Sequence, residues 1–113
     1  MEKDWNQTVK HLGGLMREVG GGIPEVAKAF AAMDKAASQE GALSSKHKEL
    51  MALAIGIAIR CDGCIAFHTK AAIKYGATRE EVMETIGLSI YMGGGPSYVY
   101  GAQALEAFDQ MSG

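Results

Sequence analysis

The chain has 113 residues, 48% hydrophobic and 21% charged, the balance of one ordinary globular domain that buries roughly 65% of the surface its unfolded chain would expose. Its 11 basic and 13 acidic residues give a net charge of -2 with no long run of either sign, so there is no electrostatic footprint for nucleic acid or an anionic membrane. The stretch Met1–Gln7 lacks the apolar core of a secretory signal, and the longest apolar run, Leu50 to Ile59, falls short of the roughly 20 residues a bilayer span requires.

We therefore expect a single cytoplasmic domain over residues 1–113, with the Leu50–Ile59 run a buried helix. In a reducing compartment two cysteines stay mostly as thiols, so a close pair there points to catalysis or metal binding before structural stapling.

Taken in chain order, apolar residues recur at helical spacing and nothing alternates long enough for a strand, which predicts an all-α bundle of about six helices. A first helix covers Trp5 to Val19 and is expected to stop at Gly20-Gly21-Gly22. Pro24 suits the first turn of a second helix, which runs to about Ser38. Ser44 or Ser45 caps a third helix through about Arg60, without the Glu or Gln three residues on that would complete a capping box. Cys61 and Cys64 follow at once, and a fourth helix carries the chain to Tyr75, where Gly76 supplies a left-handed residue. Thr78 and Glu81 form a capping box for a fifth helix ending near Met92. Gly93-Gly94-Gly95-Pro96 then breaks the chain before a last helix from about Ser97 to Met111.

The third helix is apolar on every side from Met51 to Ile59. So short a chain has little interior in which to surround such a helix, so one face is expected against another subunit and the protein is expected to be a homo-oligomer. Met51, Met83 and Met92 read as core filler, His11 and His47 as solvent-facing residues, and the triple glycines as helix breaks rather than phosphate loops, since neither follows a strand or brings a lysine at the right spacing. Tyr91, Tyr98 and Tyr100 are candidates to line a pocket near the second break.

The chemistry lies in Cys61-Asp62-Gly63-Cys64. Two thiols three residues apart at a helix start can close and reopen a disulfide without global unfolding, and a thiol there feels the positive end of the helix dipole and free N–H groups that favour thiolate. His68 follows Cys64 by four residues and Cys61 by seven, so at roughly 100° per residue all three share one helix face within about 60°. Lowering a thiol pKa from about 8.5 to about 6.5 raises the thiolate fraction at pH 7 about 25-fold, but a Brønsted slope near 0.45 takes back about 8-fold, leaving about threefold. The larger gain must come from protonating the departing alkoxide, where a positioned acid contributes about 10² to 10⁴. His68, or the other thiol relayed through it, is the candidate donor.

Glu49 is the nearest carboxylate able to orient and recharge His68, and Ala52 and Gly56 on its face leave room for another helix to come close. On a straight helix Glu49 and Cys61 would stand about 18 Å apart. Function on this reading requires a turn near Arg60 to Gly63 that folds the fourth helix back, with side-chain reach or one bridging water closing the gap. Spacing does not decide which cysteine attacks, and a thioredoxin-like analogy favours the first.

The pattern Glu49-x11-Cys61-x2-Cys64-x3-His68, followed by Lys74-Tyr75-Gly76-Ala77-Thr78-Arg79-Glu80-Glu81 and by Met92-Gly93-Gly94-Gly95-Pro96, resembles the carboxymuconolactone decarboxylase superfamily, in particular its AhpD-like alkylhydroperoxidase branch. The resemblance spans Leu43 to Pro96. It implies an all-helical trimer or hexamer whose dithiol reduces hydroperoxides at the expense of an external thiol or dithiol. In that assignment Cys64 is the attacking thiolate that becomes a sulfenic acid, Cys61 the proton donor and resolving thiol, and Glu49 with His68 the proton relay, with no cofactor and no metal. Gly63 is a departure, since AhpD-type peroxidases can carry a second histidine between the cysteines. The family's decarboxylases lack the cysteine pair, which argues against lactone decarboxylation here.

The alternatives are a non-enzymatic redox sensor or metal-binding protein and a non-redox lyase on the same scaffold. Cys61, Cys64, His68 and Glu49 could supply four zinc ligands, although structural zinc sites usually bring a second close ligand pair and this chain has none.

Overall fold

A computed structural model describes residues 3–113; Met1 and Glu2, at the start of the stretch read above for an export signal, lie outside the described residues. Six helices follow one another with no strand among the described residues: α1 (Trp5–Gly22), α2 (Pro24–Ser38), α3 (Ser45–Ala58), α4 (Asp62–Lys74), α5 (Arg79–Gly93) and α6 (Gly95–Ser112). The expected all-α bundle is thus what the chain forms.

The helix starts follow from local chemistry. Asp4 caps α1 by accepting from the Gln7 N–H, and Ser44 rather than Ser45 caps α3 by accepting from the His47 N–H. Thr78 and Glu81 make the full reciprocal capping box on α5, which satisfies two otherwise orphaned donors at the helix start. Gly76, with φ 85°, closes α4: its N–H reaches the Ile73 carbonyl while that of Ala77 reaches Ala72, the paired bonds of a Schellman motif.

The glycine-rich breaks are shorter than expected. α1 continues through Gly20–Gly22 and turns only at Ile23, which ends α1 and begins α2. Gly20 serves close packing instead, because a Cβ there would sit 3.3 Å from that of Ala27. At the second break only Gly94, with φ 74°, leaves the helical conformation. A Cβ on Gly93 would meet the Ser97 hydroxyl, so this glycine lets α5 and α6 meet at a sharp corner.

The core gathers Leu50, Leu53 and Ile57 of α3, Ile65 of α4, Val82 and Ile86 of α5, and Phe108 of α6. Leu53 and Ile57 are completely buried, a change worth roughly 1.5 to 3 kcal/mol for each side chain. Trp5 ties α1 to α6: its backbone N–H donates to Gln110 Oε1 at 2.7 Å and its indole N–H to Glu106 Oε1 at 2.8 Å. By contrast, α2 touches only α1 and α3 and buries no residue.

The expectation that the Leu50–Ile59 run is buried holds on one side only. Met51, Ile55 and Ile59 are half or more exposed in the single chain. Met83 and Met92 are likewise exposed rather than core filler, since they sit on outward positions of α5. His11 and His47 are exposed as expected, Tyr98 lines an apolar groove between α5 and α6, and Tyr91 and Tyr100 do not.

α3 and α4 approach most tightly at Gly56, where a Cβ would lie 2.9 Å from the Cys64 Cβ and 3.5 Å from backbone atoms of Cys64 and Ile65. Gly56→Ala should therefore push α4 away at the cysteine and cost about 1 to 3 kcal/mol, the range for overpacking. Urea denaturation checks this, and wild-type stability would refute it. Thr78→Ala, which removes the cap of α5, should cost about 1 kcal/mol in the same assay.

The acid limb of stability gives a further check. Lys46 and the Thr78 N–H hold the Glu81 carboxyl below its ordinary range, and the Arg79 guanidinium does the same to Asp109. These carboxyls release protons more readily when folded, so their contribution is complete above the ordinary carboxylate range and is lost as the pH falls through it. Glu81→Gln combined with Asp109→Asn should flatten the acid limb of a stability-versus-pH curve while leaving its alkaline limb unchanged.

Candidate active site

The turn between α3 and α4 builds the site. Arg60 adopts φ 60°; its N–H bonds to the Ile57 carbonyl at 3.2 Å, and the Cys61 N–H bonds to the Gly56 carbonyl at 2.9 Å. This is a second Schellman closure, with arginine in the left-handed position that glycine usually takes. Cys61 therefore finishes one helix and caps the next. It is the N-cap of α4, and its Sγ accepts from the Cys64 N–H at 3.1 Å.

Cys61 and Cys64 are joined by a disulfide, with their Cα atoms 5.2 Å apart. Both residues are only partly buried, and the disulfide stands at the positively polarised end of α4. Between them, Asp62 pairs with Lys3, and a Cβ on Gly63 would sit 3.2 Å from the Leu12 Cδ1 of α1. The position where the resembling peroxidases can carry histidine is thus overlain by α1.

Folding α4 back along α3 brings His68 to Glu49. The imidazole Nδ1 lies 2.7 Å from Glu49 Oε2, so the contact is direct and needs no bridging water. An ionised carboxylate can only accept, which makes Nδ1–H the donor and leaves Nε2 as the outward nitrogen. The Glu49 side chain is 11% exposed and that of His68 is 35% exposed, so the carboxylate is shielded while the ring reaches solvent. His68 stands one helical turn beyond Cys64, where side chains are neighbours at about 5 to 6 Å between Cβ atoms.

A cavity of about 220 Å³ opens beside this pair, bounded by Asp34 and Ser38 of α2, Lys48, Glu49 and Ala52 of α3, and His68 of α4. Asp34, Ser38 and Lys48 were not among the sequence candidates: nothing in the local pattern of α2 says which helix it will face. A wider depression of about 490 Å³ runs along α1 to Asp62 but reaches neither the cysteines nor His68. Among the described residues no three His, Cys, Asp or Glu side chains converge as a metal-ligand set, and no helix is long and apolar enough to cross a membrane.

The arrangement is a partly buried disulfide at a helix N-terminus with a carboxylate-paired imidazole one helical turn further along. The profile of the carboxymuconolactone decarboxylase family matches residues 24–107. The fold is similar to that of a carboxymuconolactone decarboxylase family protein from Legionella pneumophila, with a TM-score of 0.93 and 42% identity over 96% of this chain and 97% of that one. It is also similar to a family member from Thermotoga maritima for which a part in the antioxidative response has been suggested, with a TM-score of 0.77 and 28% identity over 87% of this chain and 86% of that one. An uncharacterized protein of Cupriavidus necator is 40% identical over 99% of both chains. With the family profile spanning most of its length, the chain belongs to the carboxymuconolactone decarboxylase family.

Proposed function

We infer that the protein is a thiol peroxidase and disulfide reductase that consumes small hydroperoxides. The observation that carries this reading is the Glu49–His68 contact set one helical turn from a cysteine pair at the N-terminus of α4. A structural disulfide has no use for a buried carboxylate oriented toward a half-exposed imidazole beside it, whereas a peroxidase needs that proton donor.

In the reduced protein the Cys64 thiolate attacks the distal peroxide oxygen. The S–O bond forms, the O–O bond breaks, and the alkoxide leaves with a proton from His68 or from the Cys61 thiol. Cys64 is then a sulfenic acid. The Cys61 thiolate attacks its sulfur, the disulfide closes, and hydroxide departs as water after taking a proton from the relay. An external dithiol reopens the bridge: its thiolate attacks Cys64, and Cys61 leaves as a thiolate held by the Cys64 N–H and the helix terminus, the same bond it accepts in the disulfide. The net change is one hydroperoxide and one dithiol converted to alcohol, water and disulfide.

Cys64 is assigned the attack because it stands nearest His68 along α4, and this agrees with the AhpD-like resemblance. Glu49 acts through His68 and is a positioning residue. The small cavity beside the relay suits a compact hydroperoxide, and a reducing compartment such as the cytoplasm would supply the dithiol. As implied by the same resemblance, the working form is a homo-oligomer.

Cys64→Ser should abolish hydroperoxide consumption, while Cys61→Ser should allow a single oxidation to sulfenic acid without turnover; equal residual rates in the two variants would end this division of roles. Glu49→Gln should lower kcat about 10-fold to 100-fold with little change in KM, a split that loss of fold would not produce. Mass spectrometry after one equivalent of peroxide should show a two-proton loss confined to the peptide holding Cys61 and Cys64. A reduced protein that stays unchanged while both thiols remain accessible to alkylation would leave a non-redox lyase as the surviving reading.

A further inference from the structure

We propose that Lys3 is a positioning residue for the cysteine pair: α6 holds its ammonium against Asp62, so that the N-terminus of α4 can carry a cysteine thiolate beside a carboxylate. The inference deepens the dithiol reading of the site and rests on it. Its test uses the reduced thiols without peroxide, so it can fail while the peroxidase reading stands, and stand while that reading fails.

The need arises from charge gathered at one helix end. The N-terminus of a helix acts as roughly half a positive charge. Asp62 is the first residue of α4 and Cys61 is its N-cap, so once the disulfide opens, the Asp62 carboxylate and a thiolate compete for that half charge. Adjacent residues have Cα atoms about 3.8 Å apart, which keeps the carboxylate within several ångströms of the sulfurs. A like charge so close disfavours the thiolate. An ammonium paired with Asp62 removes that opposition.

A free-swinging ion pair between side chains that are each 43% exposed would do little, because holding a long lysine in one geometry costs entropy. Here the backbone around Lys3 is tied to α6. Gln110 donates from Nε2 to the Lys3 carbonyl at 2.6 Å and accepts the Trp5 N–H on Oε1 at 2.7 Å. The wholly buried Trp5 in turn donates its indole N–H to Glu106. The Lys3 ammonium also lies 5.1 Å from the centroid of the Trp5 ring, within range of a cation–π attraction. Lys3 therefore meets Asp62, 59 residues away in sequence, from a tethered segment rather than a loose one.

The other charges near the pair are engaged differently. His68 of α4 is bonded to Glu49 of α3, and Arg60 spends its backbone on the turn before Cys61. Asp4 and His11 line the depression that runs to Asp62, yet the cation paired with Asp62 among the described residues is Lys3.

The thiolate absorbance of the fully reduced protein, followed against pH, tests the proposal. Lys3→Met should raise the midpoint by about half to one pH unit, the scale of a unit charge roughly 7 Å away in a largely aqueous medium. Lys3→Arg should keep the wild-type midpoint, and Asp62→Asn added to Lys3→Met should bring the midpoint back to the wild-type value or below it. The midpoint is the readout because an alkylation rate at one pH is blunted: a tenfold loss of thiolate returns about threefold in intrinsic nucleophilicity. Gln110→Ala should reproduce part of the Lys3→Met displacement without altering Lys3 itself. A Lys3→Met midpoint equal to that of the wild type, or a displacement that Asp62→Asn fails to reverse, would overturn the proposal, since a merely structural role predicts no such reversal. A Gln110→Ala midpoint equal to that of the wild type would overturn the anchoring by α6.

Discussion

The turn at Arg60 is the constraint on which the rest of the site depends. A left-handed backbone at a residue with a Cβ costs roughly 1 to 2 kcal/mol. Here it is sustained by two backbone hydrogen bonds into the end of α3 and by the burial of Ile57 before it and Ile65 after it. The turn places one residue, Cys61, at the end of one helix and the start of the next. Without that reversal Glu49 would lie about 18 Å from the cysteines along a continuous helix, and no side chain could bridge the distance.

Two kinds of packing cooperate around the turn. Glycine at position 56 lets the cysteine-bearing turn of α4 lie directly on α3, and the same close crossing draws His68 down to Glu49 one turn further along. The carboxylate is almost enclosed and the imidazole only partly so, which sets a gradient from shielded charge to solvent. Cys61 brings a second economy, since the sulfur that caps α4 is also one of the two in the disulfide.

Family membership and chemistry are separate matters in this chain. The fold and the relatives place it among carboxymuconolactone decarboxylase proteins, and a fold hosts more than one reaction. The redox assignment rests instead on the cysteine pair and the Glu49–His68 contact. The overlay of Gly63 by Leu12 adds a local feature: the space that a larger residue between the cysteines would need is taken by α1.

The amino-acid sequence by itself determined the number and order of the helices and the capping box at Thr78. It also determined the positive-φ glycine at Gly76, because these depend on chemistry within a few residues, whereas Cys61 stands outside α4 as its N-cap and not on the helix face expected for it. The glycine breaks are shorter than their local sequence implies. A glycine that permits close packing, as at Gly20 and Gly93, looks the same in sequence as one that ends a helix, and only the neighbouring helix distinguishes them. Tertiary structure alone decided that Glu49 reaches His68 without a water, that Asp34, Ser38 and Lys48 surround them, and that Met51, Met83 and Met92 face outward. Those facts depend on how far each helix crosses its neighbours. The crossing is set by the summed shape of many side chains from distant parts of the chain, information that no local spacing contains.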